Sequence, residues 1–187
     1  VVLDLATQQA VTAMPKGLSY SYQDGDLPFV WSPDGRHLAA TIGSAVTSFN
    51  IALVDASGQQ PPVNITRSGY GAAGPQFSVD GKVLLYVSVR DGLQTADSKG
   101  AEADVYATFL TQSAFDGVAH SADRIALPTP AAKPEDKKAE PVWQPELDDL
   151  AARTVRLTPF SSGVIFYRLT PDGKSLIFAN VGATTGF

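Results

Sequence analysis

The stretch Trp31-Ser32-Pro33-Asp34-Gly35-Arg36-His37-Leu38 decides the reading of this chain, because it comes back twice. It returns as Phe77-Ser78-Val79-Asp80-Gly81-Lys82-Val83-Leu84 and as Leu169-Thr170-Pro171-Asp172-Gly173-Lys174-Ser175-Leu176. Each copy has an apolar residue, Ser or Thr, then x-Asp-Gly, a basic residue, and Leu two places later. Asp-Gly between apolar runs marks a tight hairpin, because Gly accepts the positive φ such turns require. The flanks are strand-like: residues 27–31 and 38–42, 76–77 and 83–89, and 166–169 and 176–181. All three Asp-Gly tips are expected on one face of the fold.

A second unit follows the first. Leu53-Val54-Asp55-Ala56-Ser57-Gly58-Gln59-Gln60 with Val63-Asn64-Ile65-Thr66 reads as strand, turn, strand. Val2-Leu3-Asp4-Leu5-Ala6-Thr7-Gln8-Gln9 with Val11-Thr12-Ala13-Met14 repeats it, with Asp4 and Asp55, Gln8 and Gln59, and Gln9 and Gln60 aligned at an offset of 51. The complete unit is therefore four short antiparallel strands, recurring near every 46 residues (Asp34 to Asp80). That is the pattern of a propeller blade. The fold class expected is all-β, a partial β-propeller built as an arc of four-stranded antiparallel blades, with a Pro/Ala/charged insertion. The expected division is residues 1–14 as the end of a first blade, 27–66 as a second, 75–158 as a third, and 166–187 as the start of a fourth.

The interval from Asp80 to Asp172 is 92 residues, twice the period. From Asp34 to the closing Thr66 is 32 residues, whereas Asp80 to the matching Thr158 is 78. The excess falls between Leu110 and Thr154. That stretch lacks a hairpin signal near position 126 and carries Pro128, Pro130, Pro134, Pro141 and Pro145, which interrupt strand ladders. An insertion at 111–154 inside the third blade accounts for it better than a hidden blade. Residues 111–122 are expected to form a short helix with Phe115, Val118, Ala119 and Ala122 on one face, weakened by Gly117. Residues 127–146 read as extended or mobile chain. Residues 133–149 hold three lysines against six acids, which suits solvent or a basic partner. A solvated regulatory or assembly appendage is expected, so that a Gly-Ser linker in place of 124–148 leaves stability nearly unchanged.

Composition narrows the function classes. The 187 residues are 44% hydrophobic and 18% charged, with net charge −5, and no apolar run is long enough to span a membrane. The acidic balance argues against nucleic-acid or anionic-membrane binding. Without cysteine there are no disulfides, thiolate metal sites or cysteine nucleophiles. The chain opens and closes beside strand-like runs without an initiator Met, so a portion of a longer protein is expected.

The strand, Ser-Pro-Asp-Gly-basic, strand repeat is similar to the propeller repeats of TolB-type proteins and tricorn-type peptidases. Residues 104–116, Asp104-Val105-Tyr106-Ala107-Thr108-Phe109-Leu110-Thr111-Gln112-Ser113-Ala114-Phe115-Asp116, resemble a segment of bacterial tricorn-like serine peptidases. So does Leu150-Ala151-Ala152-Arg153-Thr154-Val155-Arg156-Leu157-Thr158-Pro159, and in that family a charged insertion separates the two, as here. The resemblance implies a non-catalytic propeller portion assisting substrate access or assembly, with a PDZ module and the catalytic serine elsewhere. The implied partners are a peptide or protein substrate and the remaining blades and peptidase core of the parent. It implies a periplasmic or secreted location, with a cytoplasmic one as the alternative. A TolB-like interaction propeller of the cell envelope and the propeller of a prolyl-oligopeptidase-type hydrolase are the competing readings, separable by the sequence downstream.

No catalytic, cofactor or metal residue is assigned within the chain. His37 sits at a variable post-turn position, where the other repeats have Val83 and Ser175, and is expected to be solvated. His120 lies in the insertion with no identifiable serine partner, and no Gly-x-Ser-x-Gly elbow occurs. Ser161-Ser162-Gly163 reads as an inter-blade loop. Asp34, Asp80 and Asp172 read as turn residues that bond their own backbone. Asp24-Gly25-Asp26 is a weak metal candidate, and Asp148-Asp149 reads as solvated. Gly69, Gly71 and Gly74 lack the Lys and the following helix of a phosphate loop. Trp31, Phe77 and Leu169 share one repeat position, and Ala40, Tyr86 and Phe178 another; packing between blades accounts for both more simply than a carbohydrate platform.

Overall fold

The computed structural model describes residues 1–18, 29–45, 48–92, 102–118, 120–121, 124–125, 143–158 and 163–180. The strands β1 (Val2–Leu3) and β2 (Ala10–Val11) form a hairpin. Next come β3 (Phe29–Trp31), β4 (His37–Ala45), β5 (Ser48–Asp55) and β6 (Val63–Asn64), one antiparallel sheet in chain order. A second four-stranded sheet joins β7 (Ala72–Phe77), β8 (Val83–Ser88) and β9 (Asp104–Phe109) to β12 (Thr154–Arg156). Between β9 and β12 lie the helix α1 (Gln112–Asp116) and the hairpin of β10 (His120–Ser121) with β11 (Arg124–Ile125). The last hairpin is β13 (Val164–Leu169) with β14 (Leu176–Asn180). The described residues are thus almost entirely β, in four-stranded antiparallel sheets as in an arc of a propeller.

The three Asp-Gly turns share one hydrogen-bond pattern. The Ser32, Ser78 and Thr170 hydroxyls each donate to the aspartate two residues on, at 2.5, 2.6 and 2.5 Å. Each aspartate also accepts the backbone N–H two residues further, at 3.1 Å in all three. The same hydroxyls accept the amides of His37, Val83 and Ser175. Gly35, Gly81 and Gly173 carry φ of 68°, 75° and 69°, where a side chain is strained. The invariant Ser/Thr and Asp of the repeat are therefore explained by the turn itself. The first two tips are neighbours: a Cβ on Gly81 would lie 3.2 Å from Pro33 Cδ.

Strand alternation buries both sheet faces. From β4, Leu38, Ala40 and Ile42 face the first hairpin, while Ala39 faces the second sheet. From β8, Leu84 and Tyr86 face the first sheet, while Val83, Leu85 and Val87 face the last hairpin. Ala40, Tyr86 and Phe178 each join the cluster toward the preceding unit, as do Phe77 and Leu169. Trp31 departs from this packing and stays 46% exposed. Pro75 is accommodated in β7 because that strand is at the sheet edge and bulges there, with Gly74 at φ 63°.

A second side-chain device recurs at the fourth strand. Thr66 Oγ1 accepts the Ile51 amide (3.1 Å) and donates to Asn50 Oδ1 (2.8 Å). Thr158 Oγ1 accepts the Val105 amide (2.8 Å) and donates to Asp104 Oδ1 (3.1 Å). Where the first sheet has Asn50 and Asn64, the second has Asp104 and Arg156. These two form an ion pair at 2.5 Å, with Asp104 only 1% exposed. Asp104 Oδ2 makes that ion pair without a well-aligned hydrogen bond.

The insertion departs from expectation in two respects. The helix is five residues rather than twelve: Thr111 caps it by accepting the Ala114 amide, and the backbone at Gly117 ends it. Ala114, Phe115 and Val118 still pack on the second sheet, while Ala119 and Ala122 lie outside the described residues. Part of the insertion's return packs on the core, while Gln144, Glu146, Asp148 and Asp149 stay exposed. Leu150 is buried, and Trp143 and Leu147 pack on the same cluster between the two sheets. Pairing is lost in 143–150, but these apolar side chains still gain more from burial than from solvent exposure. The packing of Trp143 and Leu147 on this cluster argues that replacing 124–148 costs stability.

Candidate functional site

A cleft of about 800 Å³ lies between the first four-stranded sheet and the returning insertion. Its floor is Leu53 and Val63, and its walls include Arg36, His37, Gln59 and Gln60 on one side and Trp143 and Gln144 on the other. The β5–β6 turn is rigidly built. Asp55 accepts the Ser57 amide and hydroxyl and the amides of Gln59 and Gln60, at 3.0, 2.6, 3.0 and 3.0 Å. These bonds, led by the Ser57 hydroxyl, hold the Asp55 carboxyl below the ordinary carboxylate range. Gly58 at φ 68° packs so near β2 that a Cβ would meet Val11 Cγ1 at 2.7 Å.

Trp143 is held between two Asp-Gly tips. Its ring centroid is 5.7 Å from that of His37, and its Cζ2 would lie 3.3 Å from a Cβ on Gly81. His37 is thus half-buried beneath an indole, with Nδ1 shielded and unbonded, rather than solvated as expected. Arg153 holds the return segment in place. Its guanidinium donates to the carbonyls of Phe109 (3.3 Å), Asp148 (2.9 Å) and Glu146, and to Gln112 Oε1 (3.4 Å). One side chain thereby ties together the exit of β9, the start of α1 and the returning chain. Neither Trp143 nor Arg153 was singled out as a site residue from sequence. The available signal was the Val-Trp-Gln-Pro run, apolar residues in an otherwise charged, proline-rich stretch.

The other candidates are dispersed. Asp34, Asp80 and Asp172 serve their own turns on three separate hairpins. At Asp34 burial raises the pKa, but the Ser32 hydroxyl and the Arg36 amide outweigh it and leave a net lowering. Asp148 and Asp149 are exposed, Asp149 at φ 49°. His120 opens β10, and Gly163 precedes β13. Asp24, Asp26, Ser161 and Ser162 lie outside the described residues. Among the described residues no three His, Asp or Glu side chains gather as a metal site, and no helix is long and apolar enough to cross a membrane.

The described residues define an all-β chain of four-stranded antiparallel sheets, consistent with an arc of a propeller. No protein-family profile matches the chain, and no curated protein matches it in sequence. Among solved structures the chain is similar to the tricorn protease, with a TM-score of 0.47 and 17% identity over 89% of this chain. The matched region spans 15% of that protease chain.

Proposed function

We propose that this chain is a non-catalytic propeller portion of a tricorn-like serine peptidase, and that the cleft beneath Trp143 receives extended polypeptide. In this reading residues 1–14 end one blade, 27–66 and 75–158 are whole blades, and 166–187 begin a fourth. The resemblance of residues 104–116 and 150–159 to that family supports the assignment. The observation that carries the binding role is the composition of the cleft. Pro61, Pro145 and Trp143 offer apolar contact, while Gln59, Gln60 and Gln144 offer the paired donors and acceptors a peptide backbone needs.

The test is photo-cross-linking of a mixed peptide library to the purified protein, with mapping of the adducts. Adducts at the cleft, reduced in Gln144→Ala and Arg36→Ala, with no peptide cleaved, are expected. Serine-inhibitor-sensitive cleavage by this chain alone, or adducts mapping away from the cleft, would overturn the reading.

A further inference from the structure

A second cleft, about 450 Å³, opens where the closing turn of the first four-stranded sheet meets the second sheet. It is lined by Arg67, Ser68, Tyr70, Arg90 and Asp149, among others. The repeat shows that its first residue is an exception. The closing positions read Met14-Pro15 in the first unit and Thr158-Pro159 in the third, but Thr66-Arg67 in the second. Arg67 adopts φ 41°, a left-handed conformation that Pro cannot reach and that other non-glycine residues enter at about 1–2 kcal/mol.

The surrounding bonds hold that strain. The Arg67 amide donates to Asn64 Oδ1 (2.9 Å), and its guanidinium Nε donates to the Asn64 carbonyl (3.2 Å). The Ser68 amide donates to Asn50 Oδ1 (2.9 Å), the buried acceptor that also takes the Thr66 hydroxyl. Ser68 Oγ accepts the Tyr70 amide (3.0 Å), which leaves its hydroxyl proton available to donate. Arg67 and Arg90 are both exposed, and among the described residues neither pairs with a carboxylate. A strained, cross-braced arginine lining one cleft with a second arginine is more than the turn requires, since the matching sequence positions in the sibling units are Pro15 and Pro159.

We propose that this cleft binds a phosphate group, with Arg67 and Arg90 as the paired guanidinium donors and the Ser68 hydroxyl as a further donor. Two guanidiniums match a dianion in charge, and their forked N–H groups match its oxygens. The site is unlike a glycine-rich phosphate loop, because charged side chains rather than a helix N-terminus supply the donors. Asp149 also lines the cleft and opposes an anion, so it supplies an internal check.

Calorimetric titration of the purified protein with inorganic phosphate, a sugar phosphate and acetate tests the proposal. Saturable phosphate binding is expected, lost by about tenfold or more in Arg67→Gly and in Arg90→Gln, and strengthened several-fold in Asp149→Asn. Arg67→Gly should keep or raise the melting temperature, since Gly accepts φ 41° freely, so lost binding there is not lost folding. Tighter binding of the sugar phosphate than of free phosphate identifies a phosphorylated small molecule as the source, and the reverse identifies the free ion. Absence of saturation by either phosphate probe, equal binding by the arginine variants, acetate binding as tightly as phosphate, or no gain in Asp149→Asn overturns it.

Discussion

Replacing Arg153 by Ala should release the returning insertion from the core. The Arg153 side chain is 7% exposed, and its guanidinium serves the Phe109, Glu146 and Asp148 carbonyls at once. A hydrogen bond from a charged donor contributes about 1.5–3 kcal/mol, and truncation removes it from one buried and two part-buried carbonyls. The Glu146 carboxylate, 3.5 Å away and 52% exposed, adds little, because solvent screens such pairs. Counting the two stronger carbonyl bonds and allowing for water to reach part of the site gives a loss of about 3–5 kcal/mol. That is a large share of the roughly 5–15 kcal/mol available to a typical domain. Arg153→Lys should recover only part of it, since an ammonium cannot span acceptors on three segments as a planar fork does. The assay is urea unfolding followed by tryptophan emission. The chain has two tryptophans, so a Trp31→Phe background reports Trp143 alone. Arg153→Ala should redden Trp143 emission and lower the midpoint. A loss under about 1 kcal/mol, with Trp143 emission unchanged, would refute the claim that this one side chain holds the insertion.

Replacing residues 124–148 with a Gly-Ser linker should lower the thermal transition clearly, because it deletes Trp143 and Leu147 from the inter-sheet cluster; an unchanged transition on calorimetry would return the segment to appendage status. Gly35→Ala and Gly81→Ala form a graded pair measured by chemical denaturation. Both incur the strain of positive φ, about 1 kcal/mol, but only Gly81 would push a Cβ against Pro33 and Trp143, so its loss should be the larger. Acid should destabilise the fold through its turns. The carboxyls of Asp34, Asp55 and Asp172 are held below 3.8, so the unfolded chain binds their protons first; their stabilisation is complete above that value and lost as pH falls through the folded values. Melting temperature should drop as pH falls below 3.8, and Asp34→Asn should flatten that drop.

Repetition made most of the fold legible. Asp34-Gly35, Asp80-Gly81 and Asp172-Gly173 stand at hairpin turns because Ser or Thr, Asp and Gly close the turn within six residues, using only local bonds. Thr66 and Thr158 likewise align by sequence and fulfil the same role, although the atoms they join are far apart in the chain. Helix length was misread because the apolar spacing across 111–122 outweighed Gly117, where the helix ends.

The candidate site was legible only in fragments. His37 was read as solvated because its repeat position is variable, yet Trp143, more than a hundred residues later, covers it. Nothing in a Pro, Ala, Lys and Glu-rich segment announces that one indole will lodge between two turn tips, or that Arg153 will gather carbonyls from three places. The sequence by itself determined the turns, the strand alternation and the repeat period, because those depend on neighbouring residues and local φ, ψ preferences. Only the tertiary structure decided which part of the insertion is core, which arginines face a cleft, and what covers His37, because burial depends on partners distant in the chain.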